Sequence, residues 1–161
     1  MVSSMDDGIG LILDKLEEKK ISENTIVIFF SDNGGVEWYN FSDNGILRGI
    51  KGDFFEGGIR VPFTMQWPKK IKPGIIYDKP IIALDVFATV ASAASAEKYI
   101  MNDIDGVDLL PYINGEKSGM PHEYLYWQNP DKDIDVVRDD RYKYLRIKGD
   151  EYIFCLLYTS D

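Results

Sequence analysis

The stretch that decides the fold is residues 25–35, which read TIVIFFSDNGG. It opens as an apolar run rich in β-branched and aromatic residues, a pattern that predicts a strand buried on both faces. In an open α/β sheet, ligands bind in the crevice beyond the carboxyl ends of the strands. Asp32 and Asn33 stand at that end and carry the hard oxygen ligands that suit Ca²⁺ or Mg²⁺. The stretch therefore predicts a metal site; the alternative is an ordinary strand-end turn, which Asx residues and glycine also favour.

The segments on either side of this strand predict helices and a second strand. Apolar residues recur at helical spacing after Ser4, which predicts a helix capped by that residue. Residues 34–58 are glycine-rich and predict a long active-site loop, and residues 61–67 predict the second strand. A second helix is expected over residues 81–95. Its apolar stripe would consist of Ala83, Phe87, Val90, Ala91 and Ala94.

The last third of the chain changes character. Short runs rich in aromatic and β-branched residues predict strands at 122–127, 135–138, 142–147 and 152–154. The predicted fold class is α/β: a fragment of a mostly parallel sheet sandwiched by helices, followed by a small antiparallel C-terminal sheet. We divide the chain into residues 1–120 and 121–161. The second part is not expected to be independent, because its strands are few and short.

Composition excludes several classes of function. The 161-residue chain has a net charge of −9, which argues against a nucleic-acid partner because such proteins need a basic face. No apolar run approaches the roughly 20 residues of a membrane span. The single cysteine, Cys155, excludes an internal disulfide and a multi-cysteine metal site.

Two basic residues in the long loop form a second candidate site. Arg48 and Lys51 are surrounded by glycines, which leave the backbone bare around two cations and suit a tetrahedral oxyanion. The alternative is that both are surface residues. Together with a hard cation at Asp32 and Asn33, Lys51 would stabilise the charge that develops on a transferring sulfuryl or phosphoryl group.

The order of these pieces resembles the C-terminal half of the sulfatase family. An apolar strand ending in SDNG is followed by RGIKG at residues 48–52 and EGGIRVP at residues 56–62. The family comprises arylsulfatases and glycan sulfatases of the alkaline phosphatase superfamily. Other stretches that look like family segments are residues 5–10, 84–90, 105–110 and 138–144. The resemblance covers roughly residues 5 to 147.

The resemblance implies roles for individual residues. Asp32 and Asn33 match the family's second pair of metal ligands, normally for Ca²⁺. Lys51 matches the catalytic lysine that contacts the sulfate group and helps to stabilise the leaving oxygen, and Arg48 borders the same substrate site. Glu56 and Arg60 match a framework motif, and we expect them to order the loop. No family histidine maps onto His122, the sole histidine, so we expect it to have a structural role.

The chain also departs from the family pattern. The family nucleophile is a formylglycine made within a Cys/Ser-x-Pro-x-Arg signature, and this signature is absent. Cys155 lies in another context, and the tail at 154–161 does not look like the family's usual ending. The first metal-binding aspartates and the upstream catalytic lysine and histidines are absent too. We therefore expect a C-terminal portion that lacks the N-terminal half of the protein and is inactive alone.

The resemblance implies hydrolysis of a sulfate ester by the parent protein. The substrate would be a sulfated small molecule or glycan, and the family suggests a periplasmic, secreted or lysosomal location. One alternative is a hydrolase or transferase of the same superfamily that acts on phosphate or phosphonate esters. The other is a non-catalytic module that has kept the scaffold.

Overall fold

The computed structural model describes residues 2–36, 42–96 and 104–156. The first part contains helix α1 (Val2–Glu18), strand β1 (Val27–Phe30), the short helix α2 (Glu56–Ile59), strand β2 (Phe63–Gln66), helix α3 (Leu84–Ala93) and the short helix α4 (Leu110–Ile113). The second part contains strands β3 (Leu125–Asn129), β4 (Ile134–Arg138), β5 (Tyr142–Ile147) and β6 (Asp150–Cys155). Turns of 3₁₀ helix cover Ser22–Asn24 and Pro130–Lys132.

The α/β class is confirmed, but the pairing of β1 with β2 differs from the expected parallel arrangement. The two strands run antiparallel, with Phe30 opposite Phe63. The loop at residues 31–62 therefore connects the two strands at the same end of the sheet. A parallel return usually runs along a helix that carries the chain back to the other end of the sheet, and the described part of this loop holds only the four-residue α2.

Strand β1 is also less buried than its apolar sequence predicts. Phe29 and Phe30 are 43% and 38% exposed, and the first two residues of the strand are half-buried. Within the residues that the structure describes, β1 pairs with β2 alone. The expectation of a strand buried on both faces is therefore wrong for this chain. Within the described residues β1 has a neighbouring strand on one side, and Phe29 and Phe30 are exposed.

The C-terminal sheet is the antiparallel meander that the sequence predicts. Its order is β3-β4-β5-β6, and each strand pairs with the next along the chain. Lys148 and Gly149 connect β5 to β6 with φ angles of 51° and 88°, as a two-residue hairpin of type I′ requires. Strand β6 includes Phe154 and Cys155, so the start of the tail belongs to the sheet. Residues 157–161 lie outside the described part.

One face of this sheet forms a core by simple alternation. Leu125, Val136 and Leu145 are 4%, 3% and 1% exposed, and Lys143 on the same face is 2% exposed. Side chains on a strand alternate between faces, so these positions share one side of the sheet. That side packs over the end of the long loop, where Phe55 meets Phe154 edge-on with ring centroids 5.9 Å apart.

Helix α3 buries a different face from the one predicted. The buried residues are Asp85, Ala88, Thr89 and Ala91, whereas Phe87 and Val90 are 60% and 43% exposed. Ala83 and Ala94 of the predicted stripe are exposed as well, and Ala91 is the one residue of that stripe that is buried. The physical reason is that Asp85 and Thr89 accept hydrogen bonds from the backbone N–H groups of Val107 and Leu109, at 2.9 and 3.0 Å.

Helix α1 starts two residues before the predicted cap. It begins at Val2, so Ser4 lies inside its first turn, and none of its residues is fully buried. The apolar residues at helical spacing are Met5, Ile9, Ile12, Leu13 and Leu16. Ile9, Leu13 and Leu16 are half-buried, as the spacing predicts, but Met5 and Ile12 are 49% and 61% exposed. Among the described residues, no helix has the length and hydropathy needed to span a membrane.

Candidate active site

The candidate metal ligands lie directly after β1, as the sequence predicts. The strand ends at Phe30, and Ser31 continues the ladder by donating its N–H to the carbonyl of Pro62 at 3.2 Å. The hydroxyl of Ser31 donates to the carbonyl of Asn33 at 2.8 Å and closes a tight turn. Asp32 occupies the outside of this turn and is exposed.

The donor chemistry of this turn suits a hard cation. The Asp32 carboxylate accepts no hydrogen bond from the described part of the chain. The Nδ2 atom of Asn33 donates to the carbonyl of Gly34 at 2.8 Å, which leaves its Oδ1 atom available as an acceptor. Ca²⁺ takes six to eight such oxygens, so these two fit the ion in kind but supply a fraction of its shell. No cluster of three or more His, Cys, Asp or Glu side chains that could hold a metal occurs among residues 2–36, 42–96 and 104–156.

Close backbone packing holds this turn against α2. The N–H of Gly34 donates to the carbonyl of Gly58 at 2.9 Å. A Cβ atom placed on Gly34 would overlap the carbonyl group of Gly57. Only glycine allows this approach, so its value here is the absence of a side chain rather than conformational freedom.

The structure brings Lys51 next to the same turn. The backbone N–H of Lys51 donates to the carbonyl of Gly35 at 3.1 Å. Lys51 is exposed, so its ammonium group is accessible to a ligand. The two candidate sites were predicted from separate stretches of sequence, and one backbone hydrogen bond joins them.

Asn44 contributes to the site although sequence reasoning did not select it. Its Oδ1 atom accepts from the N–H of Gly35 at 2.9 Å, and its Nδ2 atom donates to the carbonyls of Gly35 and Gly49 at 3.2 and 3.0 Å. The side chain therefore clamps the turn to the segment before Lys51. Asn44 precedes Gly45, a pair that is typical of an ordinary turn, so nothing in the sequence signals this longer-range role.

Arg48 stacks on an aromatic ring within the loop. Its guanidinium carbon lies 4.1 Å from the centroid of the Phe55 ring, a cation–π geometry. Arg48 is exposed, so the stacking on Phe55 orients its planar guanidinium group and leaves that group accessible to solvent. This arrangement presents a cation at the edge of the loop three positions before Lys51.

Glu56 joins the loop to the C-terminal sheet, in agreement with its expected role in ordering the loop. Its Oε1 atom accepts from Lys143 Nζ at 2.9 Å, and its Oε2 atom lies 3.4 Å from an Arg138 terminal nitrogen. Burial lowers the pKa of the Lys143 ammonium, and the nearby Glu56 carboxylate opposes this shift. Arg60 is exposed and forms no ion pair within the described residues, so its predicted ordering role is limited here to a backbone bond with Glu56 of 2.7 Å.

His122 has a structural environment, as expected. Its Nε2 atom lies 2.7 Å from Oδ1 of Asp85, and the two side chains are 10% and 0% exposed. The carboxylate of Asp85 also accepts from the backbone N–H groups of Ile82 and Val107, each at 2.9 Å. The histidine therefore ties the segment before β3 to the first turn of α3. Cys155 lies half-buried on β6 and has no role in the candidate site.

Comparison with protein families gives two overlapping matches. The family model described as "Sulfatase" matches residues 1–96, and the one described as "N-sulphoglucosamine sulphohydrolase, C-terminal" matches residues 51–159. The second match covers most of the tail at 154–161, which corrects the expectation that the tail departs from the family's usual ending.

Individual relatives agree with the family matches. The chain is 39% identical to the steryl-sulfatase of Mus musculus over 132 residues, and 35% identical to the uncharacterized sulfatase YdeN of Escherichia coli over 156 residues. These alignments cover 78% and 94% of the chain, but 21% and 28% of the two relatives. The solved structure of Ps i-CgsB in complex with k-i-k-neocarrahexaose matches with a TM-score of 0.85 and 28% identity, over 98% of this chain and 36% of that one.

Proposed function

Because the chain belongs to the sulfatase family, we propose that it contributes Asp32, Asn33, Arg48 and Lys51 to the active site of a sulfuric ester hydrolase. The chain spans 21% and 28% of the length of these two curated relatives. The formylglycine nucleophile and the remaining metal ligands would therefore come from residues outside this chain.

One observation carries this proposal. The hydrogen bond from Lys51 N–H to the Gly35 carbonyl fixes a lysine beside the turn that holds Asp32 and Asn33. A non-catalytic scaffold needs neither an accessible lysine nor acceptors that are left without donors. A site that handles a sulfate group needs both, because the group is anionic and gains charge on its bridging oxygen as the bond breaks.

The reaction is R–O–SO₃⁻ + H₂O → R–OH + HSO₄⁻. The bond between sulfur and the bridging oxygen breaks, and the electron pair of that bond stays on the oxygen. Lys51 would hold positive charge at this oxygen and stabilise the transition state more than the bound ester. Arg48, held on the ring of Phe55, would bind the non-bridging oxygens through its fork.

Asp32 and Asn33 would hold part of the shell of a Ca²⁺ ion, with Mg²⁺ as the alternative. When bound, such an ion would neutralise charge on the sulfate oxygens. The turn at residues 31–34 and its packing on α2 would keep the two oxygen donors at one place relative to Lys51. The substrate would be a sulfated small molecule or glycan.

The sister chemistry on phosphate or phosphonate esters would use the same lysine and ligands. Assays of the full-length protein on 4-nitrophenyl sulfate, 4-nitrophenyl phosphate and 4-nitrophenyl phenylphosphonate with added Ca²⁺ separate these reactions. We expect kcat/KM to be highest for the sulfate and the 161-residue chain alone to release no nitrophenol from it. A preference for either phosphorus ester would identify the sister activity. No turnover of any ester by full-length protein carrying formylglycine would favour a non-catalytic module.

A further inference from the structure

The short helix α2 connects the loop that carries Lys51 to the C-terminal sheet. Its first residue, Glu56, is 87 positions before Lys143 and 82 positions before Arg138, yet it ion-pairs with both. The two cations lie directly opposite each other in the register of β4 and β5. The sheet therefore presents two positive side chains to one carboxylate of the loop.

Lys143 and Glu56 of this cluster are buried, and Arg138 is half-buried. The side chains of Lys143, Glu56 and Arg138 are 2%, 8% and 14% exposed. Burial lowers the pKa of Lys143, Glu56 raises it, and Arg138 lowers it further. A carboxylate between a buried and a half-buried cation is strongly held in place, because its removal leaves two like charges close together with little access to water.

The position of α2 determines the backbone path near Lys51. The N–H of Gly57 donates to the carbonyl of Arg48 at 2.7 Å. A Cβ atom on Gly57 would overlap the carbonyl of Gly49, and one on Gly58 would overlap that of Asp53. Backbone therefore touches backbone on both sides of Lys51, and a shift of α2 would move residues 48–53 with it.

A second contact links the loop to the same sheet. Phe55, which precedes Glu56, lies edge-on to Phe154 of β6 with an interplanar angle of 89°. Phe55 also contacts Arg48, whose guanidinium group lies over the Phe55 ring. The orientation of Arg48 thus depends on a residue of the C-terminal sheet.

We infer that the C-terminal sheet positions residues 47–53 of the long loop. Lys143, Arg138 and Phe154 would then be positioning residues for Lys51 and Arg48. The inference rests on the proposed function for the roles of Lys51 and Arg48. It assigns to the sheet a part in catalysis although none of these three residues needs to touch the substrate. A misplacement of about 1 Å in a catalytic group can reduce the rate by about 10²-fold. The contacts of Glu56 and Phe55 with the sheet can therefore affect kcat by holding Lys51 and Arg48 in place.

The experiment compares three variants of the full-length protein with a matched control. Lys143→Met removes the buried cation, Lys143→Arg keeps a positive charge at this position, and Phe154→Leu removes the aromatic ring that contacts Phe55. Lys132→Met is the control, because Lys132 is exposed and makes no ion pair within the described residues. Steady-state kinetics on 4-nitrophenyl sulfate and amide hydrogen exchange of residues 47–53 are measured for each, with residues 84–93 as the internal reference.

We expect Lys143→Met to lower kcat by about 10-fold or more, because Lys51 no longer stands at the leaving oxygen in the transition state, and to raise KM by a smaller factor, because Arg48 moves with the same loop. Exchange over residues 47–53 should become faster while residues 84–93 stay protected. Lys143→Arg should recover most of kcat, and Lys132→Met should match the parent. A role in stability alone would speed exchange in both segments together and would leave kcat of the folded enzyme unchanged.

Unchanged exchange over residues 47–53 in folded Lys143→Met and Phe154→Leu would overturn the inference. If Lys143→Met does not fold, Phe154→Leu decides by the same measurement, since it leaves the ion pairs intact. If the full-length protein hydrolyses no sulfate ester, the proposed function fails, and the exchange data still show whether the sheet holds the loop.

Discussion

The Nε2 atom of His122 lies 2.7 Å from Oδ1 of Asp85, whose side chain is fully buried. The same carboxylate accepts two backbone N–H groups, from Ile82 and Val107. Three donors from three separate segments therefore converge on one acceptor. Because water does not reach the Asp85 carboxylate, these three hydrogen bonds offset the cost of burying its charge.

We predict that Asp85→Ala destabilises the protein more than His122→Ala does. Asp85→Ala leaves two backbone N–H groups without acceptors and should cost about 3 kcal/mol of unfolding free energy. His122→Ala leaves the carboxylate with both backbone donors and should cost about 1–2 kcal/mol. Urea denaturation of both variants, with the exposed Asp14→Ala as control, measures these differences. Equal losses in the two variants would contradict the convergent arrangement.

A second prediction concerns pH and the turn between β4 and β5. Backbone N–H groups of Tyr142 and Arg141 donate to Asp139 Oδ1 and hold the pKa of this carboxyl below its usual value of 3.8. A carboxyl with a lowered pKa in the folded state stabilises the fold above about pH 3.8, and this contribution is lost as the pH falls through the folded pKa.

Asp139→Asn should therefore be less stable than the parent at pH 7, and the difference should shrink as the pH is lowered from 5 to 3. The asparagine oxygen still accepts from the turn, so the change removes the charge with little change in shape. Denaturation at several pH values measures the effect. Asp131→Asn is the control, because Asp131 is exposed and accepts no hydrogen bond within the described residues. A constant difference between Asp139→Asn and the parent from pH 7 to 3 would contradict the prediction.

A third prediction concerns the packing of α2. A Cβ atom on Gly57 would overlap the carbonyl of Gly49 and lie 2.7 Å from that of Leu47, so backbone must move. Gly57→Ala should cost about 1–3 kcal/mol of stability, the range for overpacking. Gly10→Ala is the matched control, because nothing lies within 4 Å of its Cβ position in helix α1, and it should be neutral or stabilising. Equal thermal stability of the two variants would count against the close contact.

A fourth prediction concerns the metal. Asp32→Ala in the full-length protein should weaken Ca²⁺ binding at least about tenfold, because it removes the charged member of the pair. The 161-residue chain alone should bind Ca²⁺ weakly, since it offers two of the six or more ligands that the ion takes. Isothermal titration calorimetry tests both statements, with Asp14→Ala as control. Unchanged affinity in Asp32→Ala would remove Asp32 from the proposed ligand set.

The parts of the fold that were predictable from sequence are those that depend on local pattern. Strands β3–β6 alternate between faces, and Gly149 marks the hairpin, so their order and pairing follow from neighbouring residues. The location of Asp32 at the end of β1 follows from an apolar run that stops at a turn. Such features need no knowledge of distant segments.

The parts that were not predictable depend on residues far apart in the chain. Helix α3 turns Asp85 and Thr89 inward because backbone groups about 20 positions later need acceptors, and an apolar stripe carries no sign of this. Asn44 looks like a turn residue until its two partners, Gly35 and Gly49, are in place. The direction of β2 follows from the path of the intervening loop, which the strand's own sequence does not specify.

The most direct test of the proposed active site is the kinetic effect of Lys51→Ala in the full-length protein, assayed on 4-nitrophenyl sulfate with Ca²⁺. If Lys51 stabilises charge on the leaving oxygen, kcat should fall by about 10²-fold or more while KM changes little. Lys72→Ala, a change of an exposed lysine in the connection after β2, should leave both constants unaltered. A Lys51→Ala enzyme with a raised KM and an unchanged kcat would contradict the assignment and reduce Lys51 to a binding group.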